Sequence, residues 1–141
     1  MRNPSNKFLL LGMALAIALG PLLLQMDSAK AAGKSNWRIG RVYNRLICNN
    51  CHRQDGGKVI SPINRTIADW KAYFASDVHK TAGKAKPSVR YYTSREYRES
   101  IKHKSKAAAK FLKFPDDVMT AHVIEFYIHG AKDSDTPARC Q

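Results

Sequence analysis

The sequence predicts an all-α domain, and three observations carry that expectation. Residues 36–50, NWRIGRVYNRLICNN, set Ile39, Val42, Tyr43, Leu46 and Ile47 on one face at the i, i+3, i+4, i+7, i+8 spacing of a helix. Residues 115–130, PDDVMTAHVIEFYIHG, have the punctuation of a second helix: Pro115 with Asp116 and Asp117 suits a start, and Gly130 suits an end. No strand pattern precedes the cysteine-rich pentapeptide at 48–52. The expectation is three to five helices. Between the two ends, TIADWKAYFASDVHK and TSREYRESIKHK share a threonine, a following aromatic and a closing His-Lys, consistent with two similar helices or with coincidence. TAGKAKPSVRYY between them has the Gly, Lys and Pro content of a loop.

The first residues have a different character. Arg2 and Lys7 precede an apolar run of 17 residues, Phe8 to Leu24, which gives way to Gln25, Asp27 and Ser28 and then Ala29-Lys30-Ala31. Basic, apolar and small-residue segments in that order make a secretory signal peptide, with cleavage expected after Ala31. A retained anchor is the alternative, but the run is short for a bilayer span and Gly20-Pro21 interrupts it. The domains are therefore 1–31, a signal peptide, and 32–141, one small exported domain of the periplasm or its equivalent. A domain of that size buries a modest core and gains from a cross-link or cofactor. It keeps 21 basic and 10 acidic residues, a net charge of +11. Such a balance steers a protein toward acidic partners or anionic surfaces, or simply keeps it soluble.

Three chemistries compete for CNNCH, Cys48 to His52. A bare Cys-x-x-Cys can be a disulfide redox centre, usually in a βαβ setting that is missing here. Zinc wants four ligands at separated positions, whereas Cys51 and His52 are adjacent and Cys140 stands alone. Haem fits the spacing better: two thiols three apart on a helical turn reach two vinyl groups on one porphyrin edge, and the next residue brings an imidazole under the iron. The cofactor expected is one covalent haem c on Cys48 and Cys51, with His52 as the proximal iron ligand.

With these residues, the chain from about Asn36 to Cys140 resembles the class I-like monohaem c-type cytochromes. The resemblance implies a cytochrome c-like fold in which the N-terminal helix runs into the haem motif and crosses the C-terminal helix. Gly40, eight residues before Cys48, stands where that family often has a glycine at the crossing. The family's aromatic four residues before the first cysteine is replaced by Asn44, with Tyr43 beside it, which implies a rotated crossing. The resemblance also implies a backbone carbonyl near a proline that orients the proximal imidazole, and Pro62 is in reach for that second-shell role.

The opposite ligand decides the chemistry. In the family it is most often a methionine before the last helix, but residues 52–115 contain none, and Met119 sits inside the predicted terminal helix. Histidine is then favoured. Some bacterial cytochromes of this kind look similar in having Lys-His-Lys about a dozen residues before that helix and an Asp-Ser-x-x-Pro ending, like Asp133 to Pro137 here. That resemblance ranks His103 first as distal ligand and His79 second, with Met119 or no protein ligand as the remainder. His122 and His129 are expected at the surface or the helix end, where His129 complements the helix dipole.

An iron held by two protein ligands has no open position, which leaves one-electron exchange and predicts a periplasmic electron carrier, not an enzyme. Its partners are expected to be acidic redox proteins or membrane respiratory complexes. Lys102, Lys104, Lys106, Lys110 and Lys113 are candidates for docking them, unless they form only a solvated helix face. The alternatives are a ligand-binding or sensing haem, open if the distal ligand is displaced, and a subunit of a larger redox complex attached through its basic face or Cys140, the odd cysteine. Export argues against nucleic acid as the partner of the charge.

Overall fold

The computed structural model describes residues 35–54, 58–79 and 86–138. All belong to a unit spanning 32–141, and the expected signal segment and Cys140 lie outside the described residues. Helix α1, Trp37–Tyr43, begins where the Asn36 side chain accepts the Arg38 N–H at 2.9 Å. It continues without a break through a π-helical stretch, Asn44–Cys48, into α2, Asn49–Gln54. Helix α3, Ile67–Ser76, opens with a reciprocal cap between Thr66 and Asp69. Ser94 and Ser105 cap the short helices α4, Arg95–Ile101, and α5, Lys106–Phe111. The last helix, α6, is Asp116–His129, with the bounds its Pro, Asp-Asp and Gly punctuation predicts.

Counted with α1, the π stretch and α2 as one rod, there are five helices among the described residues, and no strand beyond an isolated Val78–Ser88 bridge. The chain is all-α, as the periodicity predicts.

The two terminal helices cross at Gly40. A Cβ there would lie 2.0 Å from the His122 carbonyl oxygen and 2.8 Å from the Phe126 Cβ, so only glycine permits this approach. Around the crossing, Tyr43, Ile47, Met119, Val123, Phe126 and Tyr127 form the core. Val42 and Leu46, expected on the same buried face, are instead 37% and 41% exposed. The face that α6 covers runs through Gly40, Tyr43, Asn44 and Ile47, one residue round from the expected stripe, because the helices meet at the side-chain-free Gly40, and the Val42–Leu46 flank stays open.

Two polar residues hold the frame from within. His122, expected at the surface, is buried, and its Nδ1 accepts the Asn36 backbone N–H at 2.9 Å, satisfying a donor at the start of α1. Arg98 is wholly buried. Its guanidinium donates to the carbonyls of Ser94, Phe111 and Phe114 and to the Asp116 carboxylate at 2.6 Å, tying α4 and α5 to the start of α6. His129 stacks on Trp37 with ring centroids 4.3 Å apart. At the far end, Gly130 makes room for Pro62 and Ala138, and Asp133 accepts the Ile67 N–H at 2.7 Å.

Two outcomes follow. Gly40→Ala should lower the unfolding free energy by about 3 kcal/mol, the upper part of the overpacking range, because the colliding atom is backbone; a denaturant midpoint equal to wild type would show that the helices do not meet there. Burial holds the His122 imidazole below its usual 6.5, so the unfolded chain takes up a proton at a pH where the folded one does not. Its stabilising contribution is full above about pH 6.5 and is lost as pH falls toward the folded-state value. Thermal unfolding from about pH 8 to about pH 5 should therefore fall less steeply for His122→Gln than for wild type. Parallel curves would reject this.

Candidate functional site

The α1–α2 rod carries the pentapeptide. Cys48 ends the π stretch and is half-buried beneath Tyr43, while Cys51 and His52 follow on α2, exposed and half-buried respectively. Burial pushes the Cys48 thiol up to about 12, opposite to the lowered pKa that makes the first cysteine of a redox dithiol nucleophilic. The two residues between the cysteines are unequal. Asn50 is exposed, but Asn49 is buried and exchanges two hydrogen bonds with the Ile60 backbone, at 2.8 and 3.2 Å. Asn44 donates to the same Ile60 carbonyl at 3.3 Å and accepts the Tyr127 hydroxyl at 2.6 Å. The chain after the motif is thus pinned back against the rod.

Pro62 ties the chain after the motif to the next helix. Its carbonyl accepts the Trp70 indole N–H at 2.7 Å, which fixes α3 against the turn at 62–64. No hydrogen bond from His52 to Pro62 is present among the described residues.

The imidazole brought to His52 is that of His79. Their ring centroids are 5.9 Å apart with planes at 55°. His79 follows the end of α3, where Asp77 adopts a left-handed φ of 51°. That turn is closed by the Asp77 carboxylate, which accepts from Ser88 Oγ at 2.7 Å and from the Arg90 N–H at 2.8 Å. The His79 N–H donates to the Pro87 carbonyl at 2.6 Å. Both strands of the loop stem are therefore joined next to the ring. Burial first, and the neighbouring His52 second, keep the His79 imidazole below its usual pKa, in the neutral form that binds metals. Its Nδ1 is buried with no hydrogen-bond partner among the described residues.

His103, ranked first by sequence, lies exposed on the turn after α4, near Glu99, with no ring contact to His52 among the described residues. Met119 is fully buried in the core of α6. The histidine brought to His52 is thus the one ranked second, because Lys-His-Lys spacing along the chain cannot register that the end of α3 folds back toward the motif.

Aromatic side chains cluster on the His79 side of the pair. The Tyr92 ring is 4.8 Å from His79 and 4.9 Å from Tyr97, and Tyr91 packs on both tyrosines. Burial, then the nearby Cys51 and Cys48, pushes the Tyr97 phenol up to about 12. The Tyr43 hydroxyl donates to the Tyr92 carbonyl at 2.6 Å, linking the rod to the turn beside His79. Sequence reading missed Asn49 and Tyr92; the one available signal for Tyr92 was a Tyr-Tyr pair in an otherwise polar, basic loop.

Among the described residues no group of three or more His, Cys, Asp or Glu side chains is arranged to hold a metal ion. Two imidazoles and two nearby thiols are what the site offers. Comparison with family models, with curated proteins and with solved structures finds no match.

Tyr43→Phe should cost about 1 kcal/mol, the net worth of one buried hydrogen bond. It should also speed amide exchange in the turn at 90–93 while leaving the core unchanged. Unaltered exchange there would mean that the hydroxyl does not hold the turn.

Proposed function

We propose that this chain is an exported monohaem c-type cytochrome that carries one electron, with His52 and His79 as the two axial ligands. The pairing of those imidazoles beside CNNCH is the observation that carries the proposal. Metal–nitrogen bonds of about 2 Å on opposite sides of one metal put two imidazole centroids roughly 6 Å apart, and the separation here is 5.9 Å. A porphyrin brings four nitrogens of its own, so two protein ligands complete the iron; an all-protein zinc site needs its ligands converging on one point, and among the described residues no three His, Cys, Asp or Glu side chains are so arranged. The buried Nδ1 of His79, which has no hydrogen-bond partner among the described residues, fits a ring whose partner is a metal or lies along its second shell.

In this arrangement Cys48 and Cys51 would hold the porphyrin edge to the rod, and His52 would bind the iron from the same turn. The Asp77–Ser88 and His79–Pro87 contacts hold His79 to its position, so that the distal ligand does not depend on a mobile side chain alone. Tyr92 packs on the His79 ring, with Tyr91 and Tyr97 behind it. When bound, the haem supplies reversible one-electron chemistry, and two imidazoles favour the ferric state and a potential low in the range of such centres. With both axial positions taken by protein, catalysis at the iron has no vacant place, and the basic surface suits a transient acidic redox partner.

Produced in a host that matures c-type cytochromes, the protein should be coloured, and its pigment should resist acidified acetone. His79→Ala should convert the low-spin absorption spectrum to a high-spin one and let the reduced protein bind carbon monoxide, whereas His103→Ala should leave the spectrum unchanged. The opposite result would restore His103 as the ligand; colourless protein would end the haem proposal.

A further inference from the structure

The flank that α6 leaves open borders a groove of about 600 Å³ between the α1–π rod and α5. Its floor is apolar: Val42 and Leu46 from the rod, Ala107 and Phe111 from α5, and Phe114 beyond it. Its rim is cationic, with Arg38 on one wall and Lys106, Lys110 and Lys113 on the other. No acidic residue lines it, and none of those four cations is in an ion pair among the described residues. A neighbouring shallow cleft adds Arg41 and Arg45 to the same wall.

Phe111 also belongs to the core, but the exposed part of this combination adds nothing to the fold. Exposed Val42 and Leu46 forgo burial, and like charges gathered around them repel one another. Both costs are relieved by an occupant that is apolar in the middle and acidic at its edges. We infer that this groove docks an acidic, amphipathic helical segment of a partner protein, with its apolar side chains on Val42, Leu46 and Phe111 and its carboxylates on Arg38, Lys106, Lys110 and Lys113. A recess between two helices suits the helix-in-groove mode. An anionic bilayer would instead call for protruding apolar side chains, and a second copy of this chain would bring the same positive charge. Docking does not depend on the haem; only the expectation that the partner is a redox protein rests on the function proposed above.

The test uses the purified full chain and a synthetic helical peptide with leucines at i, i+3, i+4 and i+7 and glutamates elsewhere, titrated at low salt and followed by amide NMR. Shifts should cluster at Val42, Leu46 and 106–114. Affinity should fall roughly tenfold or more in Leu46→Gln and in the Lys106→Glu, Lys110→Glu double variant, and stay unchanged in Lys71→Glu on α3. All three changes are at exposed side chains, so thermal unfolding should match wild type, and an unchanged visible spectrum separates a failure of docking from a failure of the haem proposal. The inference is overturned if no binding occurs, if a peptide with glutamine for leucine binds equally well, if the shifts fall elsewhere, or if phosphatidylglycerol vesicles bind while the peptide does not.

Discussion

The close crossing of α1 and α6 at Gly40 is the constraint on which the other contacts depend. With a Cβ there placed 2.0 Å from a backbone carbonyl, no side-chain adjustment relieves the clash, so the absence of a side chain sets the distance between the helices. At that distance His122 reaches the Asn36 N–H, Tyr127 reaches Asn44, and Phe126 and Val123 seal against Tyr43 and Ile47. Move the helices apart and each of these buried polar groups loses its partner at once, which is more costly than the lost apolar contact alone.

From the crossing the structure builds outward to the site by two routes. One runs along the rod, where the π turn brings Asn44 and Asn49 inward onto Ile60 and leaves Cys48 half-buried with Cys51 outside it. The other runs through Tyr43 to the Tyr92 carbonyl and so to the turn against which His79 packs. Arg98 performs a parallel task away from the site: one buried guanidinium satisfies three carbonyls and a carboxylate, and so joins two short helices that bury little apolar surface to the start of α6. A cation this deeply placed is tolerable because its donors are matched by acceptors.

Legibility followed the range of the interaction. The helix bounds at Pro115 and Gly130 and the glycine at 40 depend on local chemistry or a single close contact, and they could be read directly. His122 was assigned to the surface because a histidine between apolar residues on one helix gives no sign of the backbone donor waiting on another. Pro62 stands ten residues beyond His52 along the chain, and only the fold shows that the Trp70 indole donates to its carbonyl from the next helix. The spacing of Ile39, Val42, Tyr43, Leu46 and Ile47 marks an apolar face but not its centre, and the close approach at Gly40 centres the buried face on Tyr43, Asn44 and Ile47 instead.

By itself, the sequence determined that the chain is helical, that a thiol–thiol–imidazole set sits on one turn, and that the net charge is strongly positive. Each is a property of residue identity or of neighbours within a turn or two. Tertiary structure alone decided which second imidazole meets His52 and which apolar flank stays uncovered between cationic walls. Those outcomes come from loop closure at Asp77 and from the rotation of one helix against another, and neither leaves a periodic trace along the chain.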